Sequence, residues 1–200
     1  MSGPLIDYHN GIYAFDAGYV RPLLAAIHLI ESEGRAAFVD TANFEVMPQA
    51  LAALEARGLG TDSVDYVILT HIHLDHAGGA GAMMEAFPNA KLVVHPRGAR
   101  HMIEPTKLMA GVEGVYGKER ARRMYGNLIP IAAERIIEAH DNTVLKLGSR
   151  ESMTTILSLR SEFRVRNPAG LTTSSFIPFT KSRNPKVSLT MRSDETNMTF

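Results

Sequence analysis

The chain has 200 residues, 45% of them hydrophobic, with 21 basic and 21 acidic side chains and no cysteine. That length suits one domain with an appendage, and a balanced charge supplies no surface for nucleic acid as the main partner. Without cysteine there are no disulfides, thiolate metal ligands or cysteine nucleophile, which is compatible with the cytoplasmic setting expected here.

Residues 1–11 are polar and lack the basic-then-apolar pattern of a signal peptide. No apolar run approaches the length of a membrane span, so no membrane partner is expected. Residues 11–17 alternate as a first strand. Residues 24–31 and 35–40 form a hairpin around 32–34. Asn43 caps a helix over 44–57, with Val46, Ala50, Leu51, Ala53 and Leu54 on its apolar side, and Gly58 and Gly60 end it. Thr61-Asp62-Ser63 is the turn that follows. This strand, strand, helix, strand order suits a layered α/β architecture.

The next stretch organises the chain. Val64-Asp65-Tyr66-Val67-Ile68-Leu69 reads as a buried strand, and Thr70-His71-Ile72-His73-Leu74-Asp75-His76-Ala77-Gly78-Gly79 leaves its C-terminal end. Ligands of open α/β sheets gather at such strand ends. Three of the eight histidines fall in these few residues. In an extended segment residues two apart point the same way, so His71 and His73 converge on one metal ion. Asp75 and His76 lie where the chain turns into a helix over 78–87, and aim at a second ion beside the first. Imidazole and carboxylate suit zinc, and also iron or manganese. A solvated polar loop is the bland alternative, and the strand–loop–helix context weighs against it.

Residues 87–95 form the next strand, and 99–103 start a helical turn. His95 closes that strand and reads as hydrogen-bonded or solvated rather than as a ligand, as do His9, His28, His101 and His140. Gly111, Gly114 and Gly117 make the first half of 107–125 loop-like; 118–125 reads as a helix with a basic face. Residues 134–140 and 143–147, joined at Asp141-Asn142, read as a hairpin.

After Arg150 the composition changes. Only one alanine, Ala169, follows, serine and threonine become dense, and the net charge of −3 over residues 1–150 gives way to +3 over 151–200. A segment of this kind buries little apolar area. The expected organisation is therefore a partial domain over 1–151 and an atypical Ser/Thr/Arg-rich tail over 152–200, disordered or non-native.

His71-x-His73-x-Asp75-His76, after a hydrophobic strand and before Gly-Gly, resembles the metallo-β-lactamase fold superfamily. Ala26 to Glu31, the turn at Glu33-Gly34, and Ala36 to Thr41 are similar to that family's early hairpin and its Asp-Thr-Gly corner, with Ala42 in place of the glycine. Phe87 to His95 is similar to its next strand. The resemblance covers roughly residues 10–150 and implies an α/β fold, a layered αββα-type sandwich whose N-terminal half is present and whose C-terminal half is incomplete.

The resemblance also implies a function: metal-assisted hydrolysis of an ester, thioester or lactone-type small molecule, with one or two zinc ions. His71 and His73 would hold the first metal and Asp75 and His76 the second. Asp75 would also orient water or protonate a leaving group, and Asp40 and Thr41 are candidates for fixing the imidazole tautomers. In the family the region of 107–125 covers the active site. Arg122 or Arg123 is then a candidate grip for an anionic substrate, although a solvated helix face is the weightier reading.

The family's third histidine, bridging aspartate and late histidine have no counterpart here. No histidine follows His140, and the only aspartate beyond Asp141 is Asp194. A weak echo of a later family segment survives at 157–163. The alternative is therefore an inactive fragment or pseudoenzyme, arising from a disruption at about 149–152. A half-sandwich would expose one sheet face, favouring poor solubility or a homodimer through that face.

Overall fold

The computed structural model describes residues 4–140, 143–155, 162–166 and 172–176. Its first sheet has seven strands in chain order: β1 (Ile6–Asp7), β2 (Ile12–Asp16), β3 (Ala26–Ser32), β4 (Arg35–Val39), β5 (Val64–Ile68), β6 (Lys91–Val94) and β7 (Ile136–Glu138). The first four run antiparallel, and β4 through β7 run parallel. Parallel neighbours need crossovers, and these are helical: α1 (Met47–Ala56) after β4; α2 (Leu74–Ala77) and α3 (Ala80–Ala86) after β5; then α4 (Pro96–Ile103), α5 (Thr106–Tyr116) and α6 (Lys118–Tyr125) after β6.

Strand alternation assigns each side chain to a face. Phe15, Ile27, Leu29, Phe38, Val67, Leu92 and Val94 belong to the larger core, which also takes in Val46, Ala50 and Leu54 and Met83 and Phe87. Phe38 and Phe87 stack there with centroids 5.3 Å apart. Ile12, Ile30, Ala37, Val39, Ile68 and Val93 form the other face. They are buried with Leu145 and Leu147 of β8 (Thr143–Leu147). That strand begins a second sheet with β9 (Arg150–Thr155), β10 (Glu162–Arg166) and β11 (Thr172–Phe176), all antiparallel. The layers are thus helices, sheet and sheet. Among the described residues no helix follows β7, in keeping with the incomplete C-terminal half expected of the sandwich.

Several local expectations change. Residues 134–140 and 143–147 are not a hairpin: β7 pairs parallel with β6, and β8 belongs to the other sheet. The segment between them carries the chain from one sheet to the other; Asp141 and Asn142 lie outside the described residues. The glycine-bearing stretch after Lys107 is helix α5, because Leu108, Met109 and Val112 pack on the core and outweigh the glycine cost. The face expected to be exposed is buried within the chain, which removes that ground for a dimer. Beyond residue 152 the backbone contributes to β9, β10 and β11; the family echo at 157–161 lies outside the described residues.

Two stability effects follow. Gly111 has open space where a Cβ would stand, so Gly111→Ala should stabilise the chain by about 1 kcal/mol, read as a higher urea midpoint. Arg135 donates to the carbonyls of Met84 at 2.7 Å, Phe87 at 2.7 Å and Ala90 at 2.8 Å. It closes the C-terminal end of α3 and the turn into β6. Arg135→Ala should cost about 2–3 kcal/mol by the same assay, and an unchanged midpoint would mean that water replaces the guanidinium.

Candidate metal centre

Strand β5 ends at Ile68, and the chain runs on to His73, which is extended with φ and ψ of −63° and 143°. Along it Ile72 packs toward the core beside Val94 and Gly98, where a Cβ on the glycine would meet both side chains. His71 and His73 stand either side of Ile72, and their rings lie edge to face with centroids 4.8 Å apart. The turn of helix α2 brings His76 back, its ring 4.1 Å from that of His71. Asp75 and His76 are therefore on a short helix rather than in the loop. The Asp75 carboxylate is 3.6 Å from His76 Nε2.

A second layer grips this cluster. Asp40 and Ala42 take left-handed backbone angles, φ 62° and 47°, at the corner after β4. Aspartate tolerates that region, whereas alanine pays for it; the Ala42 methyl is fully buried in the larger core, which offsets part of that cost. The corner turns the buried Asp40 carboxylate under the metal loop. It accepts from the Thr70 amide at 2.9 Å, from the Thr70 hydroxyl at 2.9 and 2.8 Å, and from His76 Nδ1 at 2.8 Å. The Thr41 amide and hydroxyl both donate to the His76 carbonyl, at 2.7 and 2.8 Å. So Asp40 holds an imidazole as the sequence suggests, while Thr41 holds backbone.

The two histidines are shifted in opposite directions. Burial and the neighbouring His76 push His71 down to about 4, so it is neutral at physiological pH. Burial also disfavours a charge on His76, but its hydrogen bond to Asp40 and that carboxylate's charge outweigh burial, and its pKa lies above the ordinary imidazole value.

The chemistry of this donor set fits a borderline divalent metal: neutral imidazole, a neighbouring carboxylate, and a second layer that orients the rings. Convergence is incomplete. Among the described residues, no three His, Cys, Asp or Glu side chains are placed to hold one ion together.

Some site neighbours have no sequence signal. Tyr19, in the loop between β2 and β3, places its hydroxyl 2.7 Å from that of Tyr125 on α6, and the rings stack. Burial raises both hydroxyl pKa values, and the Asp75 charge adds to each shift. Asn43, expected as a helix cap, accepts from the Glu45 amide and also donates to the Met124 carbonyl at 2.9 Å, tying α6 to the Asp40 corner. Arg122 and Arg123 are exposed. His95 caps α4 by accepting from the Arg97 amide at 3.1 Å, in keeping with its bland reading. Among the described residues no helix is long and apolar enough to cross a membrane.

The profile of the metallo-beta-lactamase superfamily matches residues 20–153. Over 66 residues the chain is 38% identical to a hydroxyacylglutathione hydrolase from Aeromonas hydrophila subsp. hydrophila, a match spanning 33% of this chain and 24% of that protein. Among solved structures, a motif mutant of a metallo-beta-lactamase from Cronobacter sakazakii superposes with a TM-score of 0.65 at 18% identity, covering 92% of this chain and 67% of that one. A subclass B3 metallo-beta-lactamase from a soil metagenome library gives 0.59 at 17% identity, covering 86% and 61%. The two structural likenesses establish the fold alone, and the chain spans only part of each relative.

Proposed function

The chain belongs to the metallo-beta-lactamase superfamily, and from that premise we propose that it is a metal-dependent hydrolase of ester, thioester or lactone-type small molecules. The observation that carries this reading is the packing of the His71, His73 and His76 rings at the C-terminal end of β5, oriented from below by Asp40. The thioester class gains support from the relative named a hydroxyacylglutathione hydrolase.

His71 and His73 would hold one divalent ion, zinc by family habit, with Asp75 and His76 at a second. Such an ion supplies Lewis acidity and acidifies a water molecule enough for it to attack near neutral pH. The protein's own part is positional. Asp75, 39% exposed in its side chain, is free to accept a proton from the attacking water and return it to the departing thiol or alcohol, so that water adds across the acyl bond and a carboxylic acid is released. Asp40 and Thr41 keep His76 and its backbone in place during that exchange.

A second reading, an inactive scaffold, is favoured by one observation: as placed, no three of these donors share an ion among the described residues. Metal content of purified, dialysed chain separates the two. About one or two ions per chain, lost in a His71→Ala/His73→Ala variant, is the expected result, together with hydrolysis of simple thioesters or lactones. No metal in either protein would overturn the hydrolase reading.

A further inference from the structure

Thr70 has one hydroxyl proton and three polar neighbours. Its Oγ1 lies 2.9 and 2.8 Å from the two carboxylate oxygens of Asp40 and 3.1 Å from His71 Nδ1. An ionised carboxylate only accepts, so the hydroxyl proton goes to Asp40. Toward His71 the oxygen then has only lone pairs to offer, so contact with Nδ1 requires Nδ1 to carry the ring proton. The backbone leaves little freedom in this arrangement, because the Thr70 amide is also bound to Asp40 at 2.9 Å and the residue is buried.

We propose that Thr70 is a positioning residue that relays the acceptor demand of Asp40 to His71, fixing the Nδ1–H tautomer and leaving Nε2 with its lone pair. His76 reaches the same Nδ1–H state directly, through its 2.8 Å contact with Asp40. One buried carboxylate thus sets the proton positions of two imidazoles, one by contact and one through a hydroxyl. The tautomer stands on the hydrogen bonds alone; its use in offering Nε2 to a metal rests on the hydrolase reading.

Long-range proton–nitrogen correlation spectra of the metal-free full chain, labelled with nitrogen-15 histidine and recorded as the pH is raised from about 8 until His71 and His76 are both neutral, read the tautomer of each ring. In the wild type His71 should show a protonated Nδ1 and a bare Nε2. Thr70→Ser should preserve that pattern. Thr70→Val, which keeps the shape and removes the hydroxyl, should move His71 toward the Nε2–H form while His76 keeps its Nδ1–H signature as the control for an intact fold. A wild-type His71 in the Nε2–H form overturns the proposal, as does a folded Thr70→Val with His71 unchanged. Should the valine variant lose the His76 signature, the wild-type and serine spectra decide. A zinc titration adds a second readout, with affinity expected to fall about 10-fold in Thr70→Val. The expected tautomer in a wild type that takes up no zinc would uphold the relay and sink only the hydrolase reading.

Discussion

Asp40→Ala is expected to remove about 4 kcal/mol of stability or more and to abolish metal uptake with it. The carboxylate is 4% exposed and satisfies three donors: the Thr70 amide, the Thr70 hydroxyl and His76 Nδ1. Each stranded donor costs about 1–3 kcal/mol, and alanine adds a further penalty of about 1–2 kcal/mol for the left-handed backbone at this position. Urea denaturation of the metal-free proteins measures the first effect and metal content the second. A variant within about 1 kcal/mol of wild type would mean that the network is not what holds the corner.

Asp40→Asn separates fold from chemistry. Asparagine accepts the left-handed backbone and still offers one carbonyl oxygen. Thr70 presents two donors to it, so the oxygen faces Thr70 and the amide nitrogen faces His76. His76 Nδ1 must then accept, its proton moves to Nε2, and the lone pair needed by a metal is gone. Stability should fall less than in the alanine variant while metal uptake still fails. A pH dependence follows as well. His76 has a raised pKa because of Asp40, so the pair contributes stability that is full below the ordinary imidazole pKa and lost as pH rises through the folded value. Asp40→Asn should accordingly cost more at about pH 5 than at about pH 8. His71 has the opposite sign: pushed down to about 4, it contributes stability that is full above the ordinary imidazole pKa and lost as pH falls from there to about 4.

Much of this architecture was legible because it is written in local periodicity. The stretches 11–17, 24–31 and 35–40 read as strands from their residues and are β2, β3 and β4, and His71 and His73, two apart, bring their rings together as an extended segment predicts. Helix α5 was hidden because two glycines in its eleven residues, with a third immediately after, argue for a loop, and only its docking on the core reverses that. The parting of β7 from β8 was hidden because Asp141-Asn142 looks the same whether the chain folds back or crosses to another sheet. The inner workings of the site were least visible. Thr70 reads as a strand end until Asp40, 30 residues earlier, is placed beneath it. Tyr19 and Tyr125 are 106 residues apart and meet only because α6 returns over the loop after β2.

The same corner makes Gly79→Ala the second large effect. Gly79 has an ordinary φ of −90°, so conformation does not demand glycine there. Space does: a Cβ would stand 2.6 Å from the carbonyl oxygens of both Thr41 and Asn43. These are backbone atoms, and neither can swing aside as a side-chain tip would. The Thr41 amide and hydroxyl are bonded to His76 O, and the Gly79 amide donates to Ala42 O at 3.0 Å. Residues 41–43 and 76–79 are therefore fastened together, and any shift that relieves the methyl also draws His76 away from Asp40. Overpacking costs about 1–3 kcal/mol when side chains can adjust; with two carbonyls opposing the methyl, a loss of about 3 kcal/mol or more is expected. Gly111→Ala, the same chemical change in open space, should move the urea midpoint the other way. Metal content should fall in Gly79→Ala even in the fraction that stays folded, and remain at the wild-type level in Gly111→Ala. If Gly79→Ala kept full metal uptake at wild-type stability, the tight seating of the histidine loop on the Asp40 corner would be refuted.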